Sequence, residues 1–111
     1  MHERKVYKDY QESDLQEVFA RAHPSSWQDL IAHLEQYGLS IHHITPGETA
    51  HMIADARQAS IDNVPFPQSV DQAYRVMKSH RNPELVRQEE QRWIARTAEY
   101  ERERQEQRHQ A

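Results

Sequence analysis

Residues 45–59, TPGETAHMIADARQA, decide the fold class of this chain of 111 residues. Thr45 and Glu48 have the spacing of a helix capping box, in which a hydroxyl and a carboxylate bind the first free backbone N–H groups. Residues 50–59 are rich in Ala, Met, Arg and Gln, which have high helix propensity. We therefore predict a helix here and, with it, an all-α fold.

A β-hairpin is the alternative for the same stretch. Pro46 and Gly47 suit the two central positions of a type II turn. Residues 39–45 alternate β-branched with polar side chains, so they could pair with residues 49–55. This alternative would make the fold α+β.

Helix starts recur outside this stretch, each marked by a capping residue. They are Ser13 with Gln16, Ser26 with Asp29, Ser69 with Gln72, and Asn82 followed by Pro83. Such caps satisfy free backbone donors, and proline is tolerated in the first helical position. Three of these starts precede apolar residues spaced i, i+3, i+4, i+7, the pattern of a half-buried helix: Leu15/Val18/Phe19/Ala22, Trp27/Leu30/Ile31/Leu34 and Val70/Ala73/Tyr74/Met77.

Helix stops complete the predicted architecture. Gly38 is expected as the C′ residue of the second helix, and Pro65 and Pro67 exclude a helix around them. We predict a small bundle of four short helices plus a long C-terminal helix. Residues 1–100 would form a single helical domain, and residues 101–111 a solvated, fraying tail.

The last predicted helix is too long for the body of the protein. From Glu84 to about Arg108 it would span roughly 38 Å at 1.5 Å per residue. Trp93 can be covered by the body, whereas Tyr100 lies beyond it. One aromatic residue per heptad makes a weak coiled-coil seam but gives adequate anchors in a partner's groove. We predict Trp93 and Tyr100 as protein-binding residues, with a homo-oligomer through this helix as the alternative.

A third candidate anchor is Phe66, which stands between Pro65 and Pro67. Both prolines favour extended backbone, so an exposed Phe66 would be ready to bind a partner. The alternative, which we favour, is that Val64 and Phe66 fill a gap between helices.

Composition and charge exclude several classes of protein. The chain has no Cys, and 14 Lys and Arg stand against 18 Asp and Glu. A broad surface that neutralises phosphates is therefore not expected, which disfavours nucleic acid as a partner. If nucleic acid does bind, Arg87, Arg92 and Arg96 are the candidate contacts.

No apolar run approaches the length of a membrane span, and no apolar stretch follows the charged N-terminus, so we expect a cytoplasmic protein.

Eight histidines raise the question of a metal site. Asp29 and His33 lie four residues apart, as do His51 and Asp55, and Glu48 precedes His51 by the spacing of helical di-metal sites. A helical wheel places both sets opposite the apolar stripes, so we expect them to face water and to bind no metal. With no glycine-rich loop and no serine in a nucleophile elbow, we predict no cofactor and no catalytic residue.

The stretch SWQDLIAHLEQYGL at 26–39, the pair Ala59-Ser60 and the charged run after Glu84 carry a resemblance. Residues 26–60 resemble the segment that follows the nuclease domain in plasmid mobilisation relaxases, where such a helix ends in Gly-Leu and leads into a hairpin. Most of that hairpin's glycines are missing here, and the relaxase catalytic tyrosine and histidine triad have no counterpart. The resemblance implies a hairpin at 39–55 and an accessory role in DNA mobilisation without strand cleavage.

These expectations give an order of functions. The first is a non-catalytic protein-binding module: an adaptor, an inhibitor or a subunit of a larger assembly. The second is a nucleic-acid accessory protein of a plasmid or phage. The third, from the enzyme class, is a metal-dependent hydrolase that uses histidine and carboxylate ligands.

Overall fold

The computed structural model describes the backbone of residues 8–41 and 43–110, and their side chains as far as Arg102. Five helices form a bundle: α1 Glu12–Ala22, α2 Trp27–Tyr37, α3 Pro46–Ile61, α4 Val70–Ser79 and α5 Pro83–Gln110. A single 3₁₀ turn, Gly38–Ser40, follows α2. The described residues contain no strand, so the predicted all-α bundle of four short helices and one long helix is confirmed.

The start of α3 settles the choice between helix and hairpin. The Thr45 hydroxyl accepts a hydrogen bond from the Glu48 N–H at 3.1 Å, and the Glu48 carboxylate accepts one from the Thr45 N–H at 3.2 Å. Pro46 occupies the first helical position, where its missing N–H removes no helical bond. The predicted capping box is confirmed, and the hairpin alternative at 39–55 is wrong.

Helix α3 lies at the centre of the bundle, against α2, α4 and α5. Every residue from 47 to 56 is buried, including His51 and Asp55. The sequence prediction that these two side chains face water is therefore wrong. A helix covered on all sides has no solvated face, and its polar groups are satisfied by side chains from other elements instead.

The other caps agree with the sequence in three of four cases: Ser26, Ser69 and Asn82 each accept a backbone N–H at the start of a helix. The exception is α1, which begins before the predicted Ser13. Gln11 is its N-cap, and the Asp14 carboxylate accepts the Gln11 N–H at 2.7 Å. Asp14, three residues after the N-cap, thus satisfies the free Gln11 N–H in the same way as the acid of a capping box.

Gly38 has a different role from the one predicted. Its φ of −55° is right-handed, so it is not a left-handed C′ residue. A Cβ at this position would lie 2.6 Å from Thr49 Cγ2 and 2.8 Å from Trp93 Cη2. Glycine is required here because the end of α2 approaches both α3 and α5 closely.

Helix α5 is 28 residues long, and its first half packs against α3 through the buried side chains of Glu89 and Trp93. All side chains from 98 to 102 are exposed. The helix continues to Gln110, so the predicted tail at 101–111 begins within it.

Candidate functional site

The three aromatic residues predicted as anchors occupy different environments. Phe66 is partly buried and packs against Phe19 and Trp27, with ring centroids 6.0 and 4.9 Å away. It fills the gap between helices, as the favoured alternative predicted. Trp93 is fully buried, which makes it a core residue that no partner can reach in this conformation. Tyr100 is 40% exposed and is the one of the three that remains a candidate contact.

A group of charged and polar side chains, buried at its centre and partly exposed at its edge, surrounds the part of α3 that was expected to face water. We call it the Asp55 cluster; its members are Asp9, Tyr10, His51, Asp55, Lys78, Arg81 and Glu90. Asp55 has no exposed surface. Both of its oxygens accept hydrogen bonds from Arg81, at 3.0 and 2.8 Å, and one also accepts the Tyr10 hydroxyl at 2.6 Å.

Asp9 connects the N-terminal segment to this cluster. Its carboxylate accepts two hydrogen bonds from Arg81, at 2.7 and 2.9 Å, and one from Lys78 at 2.7 Å. Partial burial by itself would raise the pKa of Asp9, but the bonds from Arg81 and Lys78 outweigh it and hold this pKa well below its usual range. Burial and the neighbouring Asp55 carboxylate raise the pKa of Tyr10.

His51 lies between two carboxylates of the cluster. Its Nδ1 is 3.1 Å from Asp9 and its Nε2 is 2.9 Å from Glu90. Both ring nitrogens therefore face a carboxylate oxygen. Because Asp55 is inaccessible and each charged side chain of the cluster is bonded to another, we interpret the Asp55 cluster as structural.

A second charged group, on the opposite side of α3, is open to solvent. In this Glu35 cluster, Arg57 donates to Glu35 and to Glu89, both at 2.9 Å. Arg92 donates to the same Glu35 oxygen. Arg96 donates to the other Glu35 oxygen at 3.2 Å and to the Glu35 carbonyl at 2.9 Å. Three guanidinium groups therefore converge on one carboxylate, and the hydrogen bond that Arg92 donates to Glu35 raises the pKa of Arg92.

The candidate nucleic-acid contacts Arg87, Arg92 and Arg96 are thus all engaged within the chain. Arg92 and Arg96 belong to the Glu35 cluster, and Arg87 forms an ion pair with Glu84 one turn before it. Each of the three arginines is paired with a carboxylate of the same chain, so the structure does not bring them together as a free basic face.

An open cleft lies next to the Glu35 cluster, between α5 and the residues that join α2 to α3. Its volume is about 520 Å³, and it is lined by Leu39, Ser40, Ile41, His43, Ile44, Thr45 and Tyr100. Ile41 and Ile44 are buried, whereas Tyr100 is exposed and belongs to the distal part of α5. The lining of the cleft is therefore mixed, about half polar and half apolar, and it includes the accessible Tyr100 ring.

The remaining candidates do not assemble into a metal centre. Within the described residues, no three His, Asp or Glu side chains are placed to hold a metal ion. Asp29 is exposed and accepts hydrogen bonds from Ser25. His33 is half-buried against the Tyr37 ring, and this burial lowers its pKa.

Among the residues that the structure describes, no helix is long and apolar enough to cross a membrane.

Comparisons with known proteins give no match to this chain among protein families, curated proteins or solved structures.

Sequence reasoning found Arg92, Arg96 and Tyr100 but missed Glu35 and Arg57. Arg57 was not considered because it lies on α3, 22 residues from Glu35 and 32 from Glu89. One signal was available: Arg92 and Arg96 are four residues apart and so lie on the same side of α5. That spacing predicts a shared partner without identifying it.

Proposed function

We propose that this chain is a cytoplasmic, non-catalytic protein-binding module whose cleft receives an apolar side chain of a partner protein. The observation that supports the proposal is the cleft itself, in which the apolar side chains of Leu39, Ile41 and Ile44 lie among polar ones next to the exposed ring of Tyr100. Its position at the start of the projecting part of α5 gives a partner access to both the cleft and the helix.

The cleft and Tyr100 are where most of the affinity for a partner is expected. Protein interfaces obtain most of their affinity from a few large side chains in desolvated pockets, with tyrosine among the most frequent. Tyr100 supplies such a side chain, and the cleft supplies such a pocket. The helix beyond residue 97 contributes exposed side chains that add contact area without being needed for the core.

Site-specific photo-cross-linking tests the proposal. A benzophenone amino acid replaces Tyr100 in one variant and Tyr37 in a matched control, which is also an exposed tyrosine, at 45% against 40%, but does not line the cleft. After irradiation in the cells that naturally produce the chain, position 100 is expected to give a discrete protein adduct that position 37 does not give.

The adduct is then tested for dependence on the cleft lining. Replacing Ile44 by Ser in the cross-linking variant should reduce the adduct, with folding checked by circular dichroism. Adducts of equal yield at positions 37 and 100, or no adduct at position 100, would contradict a partner site at this cleft.

A further inference from the structure

We propose that Arg92 and Arg96 bind an oxyanion group, a phosphate or a carboxylate, on the same partner segment that places an apolar side chain in the cleft. This inference rests on the proposed protein-binding function and specifies the chemistry of the partner.

Charge is the first argument. The Glu35 cluster holds three guanidinium groups, from Arg57, Arg92 and Arg96, and two carboxylates, from Glu35 and Glu89. One positive charge therefore remains after every pair in the cluster is formed. The Asp55 cluster has no such excess, because its Lys78 and Arg81 side chains stand against three carboxylates.

The available donors are the second argument. Among the described residues, Arg92 makes one hydrogen bond, from Nη1 to Glu35, which leaves Nε and Nη2 for another acceptor. Arg92 is also the most exposed member of the cluster, with a side chain 47% accessible. A guanidinium presents its Nε–H and Nη–H groups as a planar fork that matches two oxygens of a carboxylate or phosphate.

The position of the cluster is the third argument. Arg96 lies four residues before Tyr100 on α5, about 6 Å along the helix axis. Glu35 likewise lies four residues before Leu39, which lines the cleft. A short peptide can therefore reach both places, with an apolar residue in the cleft and an acidic or phosphorylated residue one helical turn away.

Nucleic acid fits this arrangement less well. Binding to a duplex draws its strength from many phosphate contacts, and this cluster has one uncompensated positive charge in a chain of net charge −4. Glu99 lies seven residues after Arg92, on the same side of α5, and would repel a continuous line of phosphates. A single anionic side chain needs only the Nε and Nη2 groups of Arg92, so it does not have to extend along α5 to Glu99.

The test uses the full chain labelled with ¹⁵N and follows the arginine side-chain Nε–Hε resonances during titration. Phenyl phosphate is the phosphate probe, benzoate is the carboxylate probe, and a twelve-base-pair duplex is the nucleic-acid probe. Saturable shifts at Arg92 and Arg96 with phenyl phosphate or benzoate support the proposal. Stronger binding of phenyl phosphate indicates a phosphorylated partner, and equal binding indicates an acidic one.

Matched variants locate the binding. Arg92→Gln should weaken binding of phenyl phosphate about fivefold, the factor that corresponds to one exposed charge pair. Arg87→Gln, an exposed arginine paired on the same helix, should leave it unchanged. Should Arg92→Gln fail to fold, Arg92→Lys keeps the charge and removes the planar fork, and it should also weaken binding.

Three outcomes would overturn the proposal: no saturable shift at either arginine, equal losses in the Arg87 and Arg92 variants, or binding of the duplex that is tighter than that of both small anions. Failure of the proposed function is distinguishable, because it is read from the cross-link at position 100. Anion binding without that cross-link would refute the protein partner, whereas the cross-link without anion binding would refute only the inference drawn here.

Discussion

The Asp55 cluster and the Glu35 cluster lie on two sides of the same helix and are built from the same interaction, an arginine bonded to carboxylates. They differ in how much water reaches the carboxylate at the centre of each. Asp55 is fully buried, whereas Glu35 is 22% exposed and its partner Arg92 is nearly half exposed. In the first cluster each charge is bonded by neighbours from distant parts of the chain. In the second, donors remain that solvent or a partner can reach.

The comparison shows that burial, more than the number of ion pairs, separates a structural cluster from a binding surface. Breaking a buried pair leaves an uncompensated charge in a low-dielectric environment, which is strongly destabilising. Breaking an exposed pair leaves a charge that water can solvate, at little cost. Four predictions test this difference, in order of expected effect.

The largest effect is expected from Asp55→Asn. The substitution removes the charge opposite Arg81 and weakens the hydrogen bond from the Tyr10 hydroxyl, so the free energy of unfolding should fall by about 3–5 kcal/mol. Urea denaturation measures it. Asp62→Asn is the control, since Asp62 forms an exposed pair with His80. A loss below 1 kcal/mol for Asp55→Asn would remove the distinction between the clusters.

The second-largest effect is expected from Gly38→Ala. This substitution tests whether close packing also holds the end of α2, the helix that carries Glu35, against α3 and α5. The added Cβ would lie within 3 Å of Thr49 and Trp93, so a loss of about 1–3 kcal/mol from overpacking is expected. In the double variant with Thr49→Ser, which removes the methyl group and keeps the hydroxyl, part of that loss should be recovered. Additive effects of the two substitutions would show that Gly38 and Thr49 do not press on each other.

The third prediction concerns acid. The pKa of Asp9 lies below the usual value of 3.8, so its ion pairs stabilise the fold above that pH and are lost as the pH falls below it. Allowing for the exposure of Asp9, Asp9→Asn should cost about 1–2 kcal/mol at pH 7 and much less near pH 2. Thermal denaturation from pH 7 to pH 2 gives both values.

A suitable control for the acid experiment is Glu84→Gln, because Glu84 pairs with Arg87 entirely at the surface. The free energy of unfolding of this variant should differ little from that of the natural chain at every pH. If the loss in unfolding free energy for Asp9→Asn is equally small, or does not decrease on acidification, the ion pairs of Asp9 contribute no pH-dependent stability.

The smallest effect is expected from Arg92→Gln. Although this residue pairs with Glu35, its exposure limits the loss in unfolding free energy to less than about 1 kcal/mol. Urea denaturation of the purified variant measures it. A loss as large as that of Asp55→Asn would show that the Glu35 cluster is as structural as the Asp55 cluster.

The sequence predicted those parts of the fold that depend on near neighbours. The capping box of Thr45 and Glu48 and the caps at Ser26 and Ser69 are local interactions, which a short stretch of sequence contains in full. The burial of α3 was not predicted, because a helical wheel assumes one face in water. The distribution of small residues was an available signal: Ala50, Ala54, Ala56 and Ala59 lie on several sides of the helix and allow neighbours to approach all of them.

The charged clusters were beyond sequence reasoning for a different reason. Asp9 and Arg81, which bond to each other, are 72 residues apart in the chain. The two partners of His51 lie 42 residues before it and 39 residues after it. Nothing in a single sequence relates such positions until the helices are packed. Tyr100 was predictable because its exposure follows from helix length alone.

The enclosure of α3 also has a consequence for the order of events during synthesis. Its side chains bind Asp9 from a segment made earlier and Arg81, Glu89 and Glu90 from segments made later. A nascent chain that has not yet released the first turns of α5 from the ribosome therefore carries α3 with its carboxylates and histidine hydrated. The native bundle can close only when all residues from Asp9 to Glu90 have left the exit tunnel, so α3 acquires its ion pairs after most of the bundle has been synthesised.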